Sequence, residues 1–413
     1  MSPELPPPPL TGLVLSGGGA RAAYQVGVLE AIAQLRRHCG EARGPNPFPI
    51  IAGTSAGAIN GAALACGADH FDRAVRRIAR VWSHVHAGNI YRADSLGVMQ
   101  SGARWLTLLS LGWALARLRR TRPHSLLDNA PLELLLGRLV PLVRLPMLIR
   151  KGHLHALAIT ASSYSSGEHV TFFEANANLP VWTRSQRKAT HDRITPTHLL
   201  ASSAIPFIFP AQAIELDGHT EYFGDGSMRQ SAPLAPAIHL GAERILVVGA
   251  GRMHEPEGDA PPTPTYPTLA QVAGHALSNI FLDALSVDVE RAQRINHTMT
   301  LIPPEVRARS SLRPVDLLVI APSQRIDAVA ARHVAELPPM VRRLLSSLGV
   351  TSDAQDVRGA ALVSYLLFEQ GYTRELMALG RADTFARRGE VCRFFGWNDP
   401  GTPLPPEDTT IYN

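Results

Sequence analysis

Short apolar runs recur along this chain and alternate with longer stretches in which apolar residues return every three or four positions. The runs at 12–16, 48–53, 154–161, 169–173 and 221–224 have strand length. So do Ile245-Leu246-Val247-Val248-Gly249 and Val315-Asp316-Leu317-Leu318-Val319-Ile320. After the first run, Tyr24, Val28, Leu29, Ile32 and Leu35 fall at helical spacing. Residues 269–296, 325–349 and 356–380 also predict helices, and the Pro-rich stretch 252–268 predicts a loop. Apolar strands alternating with helices imply an α/β fold, with a mostly parallel central sheet flanked by helices. Strands continue past residue 240, so 241–413 is expected as a C-terminal α/β extension with its helices on the same core. Residues 11–240 hold the motifs described next, and 1–10 form a Pro-rich tail.

The clearest candidate chemistry lies in Gly53-Thr54-Ser55-Ala56-Gly57. It follows the apolar Pro49-Ile50-Ile51-Ala52 and opens the small-residue run Ala58-Ile59-Asn60-Gly61-Ala62-Ala63-Leu64-Ala65. Strand, sharp turn and helix in that order are what a nucleophile elbow needs. The helix start adds roughly half a positive charge, which favours an anionic nucleophile or intermediate. The plainer reading is a Gly/Ser turn with Ser55 as an N-cap.

Two further stretches shift the balance toward chemistry. Leu13-Val14-Leu15-Ser16-Gly17-Gly18-Gly19-Ala20-Arg21-Ala22 is an apolar strand ending in three glycines before a helix. Without Cβ atoms, its backbone N–H groups can line an anion hole for a phosphate or an oxyanion. No Gly-Lys-Ser/Thr follows as a phosphate loop requires, and the second strand ends in Gly-Thr-Ser rather than the acidic residue of a dinucleotide site. An oxyanion hole is the better reading. Arg21, in a first turn, opposes the helix dipole unless an anion or structural partner is near, so it is expected to shape or charge that loop. The other stretch is Tyr222-Phe223-Gly224-Asp225-Gly226-Ser227. Asp225 alone could be a turn residue, but beside an elbow and a glycine loop it becomes the candidate base.

Together these motifs resemble the patatin-like phospholipase family, over roughly residues 11–240. Ser202-Ser203-Ala204-Ile205-Pro206 and Phe209-Pro210 resemble the segment preceding that family's aspartate strand. The resemblance implies a Ser55 nucleophile, an Asp225 base and an oxyanion hole in Gly17, Gly18 and Gly19, with Arg21 at the family's basic position and Gly53 and Gly57 flanking the elbow. It implies a serine hydrolase of phospholipid or lysophospholipid esters, acting through an acyl-enzyme without metal or cofactor. An acyltransferase and a catalytically silent lipid-binding regulator are the alternatives. This chain departs from the family pattern at Ala22, where Gly is usual, and at Ser227, where Ala or Gly is usual; neither is expected to touch a reacting group. A rival Ser-Asp-His triad would draw on His239, His254, His275 or His297, all expected as surface or packing residues.

Composition narrows the remaining choices. Hydrophobic residues make up 45% and charged residues 18% of the 413, which excludes a disordered chain. The net charge of +5 mildly favours anionic partners, but the basic residues are scattered without a nucleic-acid module, so nucleic acid is not expected. Cys39, Cys66 and Cys392 lack metal-ligand spacing, and their odd number fits a reducing, cytoplasmic setting. The N-terminus has no signal-peptide pattern, and no apolar run is long enough to span a membrane. Trp105 and Trp113 nonetheless sit in an apolar stretch followed by Arg117, Arg119, Arg120 and Arg122. That segment reads equally as a cap helix over the site (100–122) or as an interfacial helix (103–122) giving peripheral contact at the inner membrane face.

Overall fold

The computed structural model describes residues 9–92, 125–176, 179–253, 266–310, 312–350 and 359–404. The segment 103–122, residues 1–8 of the tail, residues 254–265 of the Pro-rich loop and His254 lie outside them.

Among the described residues ten strands form one mixed sheet. Five of them, β10 (Asp316–Ile320), β9 (Arg244–Val248), β1 (Thr11–Leu15), β2 (Ile50–Thr54) and β3 (Ala156–Ser163), lie side by side and all parallel. Every apolar strand expected from the sequence is present. The others are β4 (His169–Ala175) and β8 (His219–Asp225), with three strands the apolar pattern missed: β5 (Thr183–Arg184), β6 (Arg187–His191) and β7 (Gln212–Leu216). Those three are polar or half-exposed and lie where the sheet turns antiparallel. There a strand no longer needs two apolar faces.

Alternate residues of the central strands feed two separate cores. Leu13, Leu15, Ile51, Leu157 and Ile159 face one helical layer, while Val14, Ile50, Ala52, Ala158 and Val247 face the other. This is the three-layer α/β arrangement that doubly covered strands require.

The C-terminal segment joins both layers, with Leu285 and Val289 in the second core and Tyr365, Leu376 and Met377 in the first. Helix α1 (Ala23–His38) crosses the long helix Gln370–Ala386 with the two backbones in close approach at two glycines, flanked by Tyr24–Asp383 and Glu30–Arg381 side-chain contacts. A Cβ on Gly27 would overlap the Met377 carbonyl, and one on Gly380 the Tyr24 carbonyl. β9 and β10 meanwhile extend the sheet beyond β1.

The helices beyond residue 268 are more broken than their periodicity suggests. The 269–296 pattern is Leu269–Ser278, a π-turn at Asn279–Asp283, and Ala284–Leu301. The 325–349 pattern breaks after Glu336 and resumes at Pro339, because Pro338 and Pro339 cannot continue a helix. The 356–380 pattern is Ala360–Leu366, a short break, and Gln370–Ala386, with residues before 359 outside the described range.

Candidate active site

Strand β3 brings the two principal candidates together. One of its edges is occupied by antiparallel β4 from Ala156 to Ser162. The other is occupied by parallel β2 up to the Thr54–Thr160 pair, and then by antiparallel β8, with Asp225 opposite Ala161. β2 and β8 thus approach each other along one edge, and their C-terminal ends meet. Ser55 is the first residue after β2, and Asp225 is the last of β8.

At Ser55 the chain turns sharply into helix α2 (Ala56–Ala65), and the serine itself takes the strained conformation, with φ 56° and ψ −131°. The flanking glycines serve close approach. A Cβ on Gly53 would lie 2.6 Å from the Gly57 carbonyl oxygen, and one on Gly57 would overlap the carbonyls of Leu15 and Ser16. The elbow helix therefore starts directly against the end of β1, where the glycine loop begins. Gly57→Ala is expected to cost about 1–3 kcal/mol of stability and to lower activity further by displacing that loop. Thermal unfolding beside turnover checks this, and unchanged values for both would contradict it.

The segment Ser202-Ser203-Ala204 clamps both candidates. The Ser55 N–H donates to Ser202 Oγ at 2.9 Å, and the Asp225 N–H to the Ala204 carbonyl at 3.0 Å. The Asp225 turn is held from two other sides. His169 Nε2 bonds the Gly226 carbonyl at 3.0 Å, and Gln230 Nε2 donates to Thr54 Oγ1 at 2.8 Å. Thr54 Oγ1 in turn lies 2.6 Å from Thr160 Oγ1. Burial pushes His169 down to about 4, so it is neutral and donates to that carbonyl. The motifs gave no sign of Ser202, His169 or Gln230 as supports, since their roles come from sheet register.

Asp225 is fully buried. Oδ1 accepts the Ser227 N–H at 2.9 Å, while Oδ2 has no partner of ordinary geometry among the described residues. Burial dominates its protonation and pushes the carboxyl up to about 6, opposed by the Ser55 hydroxyl and by the N–H and hydroxyl of Ser227. The Ser55 hydroxyl is thus close enough to act on the carboxyl, although no hydrogen bond of ordinary length and angle joins them. Such contacts often tighten only when substrate is bound. Ser227, expected to stand apart from the reacting groups, instead contacts Asp225 directly.

Gly17, Gly18 and Gly19 form the loop after β1. Among the described residues no acceptor engages their N–H groups. Gly19 alone of the three needs a left-handed backbone, with φ 54°, and a Cβ there would overlap the Tyr365 carbonyl. Arg21 is buried and turned toward the C-terminal segment. Its Nε donates to Ser364 Oγ at 2.7 Å, and its guanidinium lies 4.0 Å over the Tyr365 ring. It ties the loop to helix Ala360–Leu366 and does not line the cavity, so its effect on the site is through loop shape.

A narrow cavity of about 90 Å³ leads away from Gly19 and Ser55. Its walls are apolar: Ile59 and Ala63 of α2, Trp82, Leu136, Phe209, and Phe368 from the C-terminal helix break. Asn60 is its polar anchor, accepting from Trp82 Nε1 at 2.8 Å and donating to the Ala22 carbonyl at 3.2 Å. Among the described residues no histidine lines this cavity or bonds Ser55 or Asp225. His239 stacks on Trp182, and His275 and His297 are exposed. No group of three or more His, Cys, Asp or Glu side chains among the described residues could hold a metal ion. None of their helices is long and apolar enough to cross a membrane.

Fold and site together define an α/β protein with a strained serine beside a buried carboxyl, at the mouth of an apolar cavity. The model of the patatin-like phospholipase family matches residues 13–238, more than half of the chain. The chain belongs to that family, one of lipid acyl hydrolases. Among solved structures it is similar to VipD from Legionella pneumophila, at 14% identity and a TM-score of 0.33, over 90% of this chain and 67% of that one. It is also similar to the type III effector protein ExoU, at 17% identity and a TM-score of 0.27, over 98% of this chain and 93% of that one. No curated protein matches the chain.

Proposed function

We propose that this protein hydrolyses carboxylic esters of phospholipids or lysophospholipids through an acyl-enzyme on Ser55, with Asp225 as the base. The observation that carries this reading is the register along one edge of β3, where the ends of β2 and β8 meet beside the apolar cavity.

A serine hydroxyl is a weak nucleophile until a base takes its proton during attack. An ordinary aspartate, with a pKa near 3.9, is a poor base at neutral pH. Burial pushes Asp225 up to about 6, much nearer to working pH. As Ser55 Oγ bonds to the ester carbonyl carbon, its proton passes to Asp225 and the carbonyl oxygen becomes an oxyanion. The unengaged N–H groups of the glycine loop are available to it, and each such donor is typically worth about 2.7–4 kcal/mol in the transition state. Collapse expels the alcohol with the proton from Asp225. Water, deprotonated by Asp225, then releases the fatty acid and restores Ser55. The acyl chain lies in the cavity between α2 and Phe368, so residues 241–413 belong to the catalytic unit in this reading.

We place the protein in the cytoplasm, in peripheral contact with the inner membrane face when it meets its substrate. Its three cysteines are all free thiols, in keeping with a reducing setting.

The test is fatty-acid release from vesicles of phosphatidylcholine mixed with lysophosphatidylcholine, with and without added glycerol as acceptor, in the presence of EDTA. Release that survives EDTA and is lost in Ser55→Ala supports hydrolysis. Acyl transfer to glycerol or to the lysophospholipid without fatty-acid release would make the enzyme an acyltransferase. No turnover in any arm would favour a silent lipid-binding protein.

A further inference from the structure

Ser227 departs from the family pattern, and its surroundings give the hydroxyl little choice of partner. It follows Gly226 in the short 3-10 turn that Asp225 caps. Its Oγ is buried and has no hydrogen-bond partner of ordinary geometry among the described residues. A buried hydroxyl left unpaired costs about 1–3 kcal/mol. On one side the Oγ presses against the glycine loop, so closely that a Cβ on Gly17 would overlap it. The Phe281 ring closes the same space, 2.8 Å from that Cβ position, and the π-turn at Asn279–Asp283 is what carries Phe281. The Asp225 carboxyl is close by, since its Oδ1 accepts the Ser227 N–H at 2.9 Å, and its Oδ2 is likewise buried and unpartnered. A hydroxyl rotates its proton to suit its surroundings, and the Ser227 hydroxyl is close enough to act on the carboxyl.

We propose that Ser227 is a positioning residue for Asp225: its N–H holds Oδ1, and its hydroxyl, wedged against Gly17, holds the carboxylate in the orientation that faces Ser55. The inference rests on the reading of Ser55 and Asp225 as nucleophile and base. Through Ser227, the aspartate turn and the glycine loop are set relative to each other by one side chain. A hydroxyl donated to a carboxylate also favours its charged form, opposing the effect of burial.

Few other groups act on Asp225. Ser55 faces it from the start of α2, Tyr164 from the turn after β3, and the neutral His169 from β4 through the Gly226 carbonyl. Among the described residues no charged side chain contributes to the Asp225 shift. Removing the Ser227 hydroxyl therefore leaves burial less opposed, and Asp225 keeps its proton to higher pH.

The experiment follows the rate at which a fluorophosphonate probe labels the full-length protein, from pH 4.5 to 9, a range of about two units or more on either side of the working range of a general base. Wild type, Ser227→Ala and Asp225→Asn are compared, with thermal unfolding as the check on folding. The expected result is an acid limb in Ser227→Ala displaced upward by about half to one pH unit, with the unfolding midpoint little changed. An unmoved limb in Ser227→Ala, with Asp225→Asn unreactive, would overturn the role of Ser227 and leave the dyad standing. An Asp225→Asn protein that labels at the wild-type rate with the same limb would overturn the dyad and the inference with it.

Discussion

Ser55→Ala is expected to reduce ester hydrolysis by at least about 10⁴-fold while the protein remains folded. The size follows from what is lost. Without Oγ no acyl-enzyme can form, and the glycine loop and cavity can only bind substrate. The substitution is mild for the fold, because the hydroxyl caps no helix N–H and the backbone N–H of residue 55 still reaches Ser202 Oγ. Alanine must still adopt the strained φ of 56° that serine adopts, so little changes there. Substrate binding to vesicles should persist. Residual activity within tenfold of wild type would mean that the nucleophile lies elsewhere.

Asp225→Asn is the second large effect, and it separates activity from stability. Turnover is expected to fall about 10²–10⁴-fold, the range for losing a general base. Asparagine can keep the 2.9 Å bond from the Ser227 N–H, so the turn should hold. Stability should move the other way above neutral pH. Burial raises the folded-state value from 3.8 to about 6, so the native state holds a proton that the unfolded chain has already released. Wild-type stability therefore falls as pH rises through that window. Above pH 6 the penalty is fully present and on the order of 3 kcal/mol. Asp225→Asn removes it, so the variant should unfold at a higher temperature than wild type at pH 8. At pH 4 the difference should largely vanish. The same titration sets the acid limb of wild-type activity near pH 6, below which Asp225 is protonated and cannot accept the Ser55 proton. A variant that is both active and no more stable at pH 8 would show that the carboxyl is neither the base nor strained by burial.

The parallel half of the sheet and the candidate site residues were legible in the sequence for definite reasons. Doubly covered strands must be continuously apolar, and β1, β2, β3 and β9 are buried almost throughout. Gly57 and Gly53 stand out because the elbow leaves no room for a Cβ. Strands β5, β6 and β7 escaped notice because their residues are largely polar or half-exposed and they lie outside the all-parallel block, β6 pairing in parallel with β4 and the other two antiparallel. The helix expected over 325–349 ignored Pro338 and Pro339, which break it, whereas nothing in the pattern marks the π-turn that carries Phe281 close to Gly17. Arg21 was expected to shape or charge the glycine loop. Its partners Ser364 and Tyr365 are more than three hundred residues away in sequence, and only the folded chain reveals that it works as a tie. The contact of Ser227 with Asp225 is local, an aspartate side chain accepting the N–H two residues on, and the expectation that Ser227 stands apart from the reacting groups overlooked that common turn.

The most direct test is covalent. The wild-type protein, treated with a fluorophosphonate at pH 8 and digested, should carry a single phosphonyl adduct, mapping to Ser55, and Ser55→Ala should carry none. A folded wild-type protein that takes up no adduct, or takes it on a serine other than Ser55, would contradict the assignment on which this account rests.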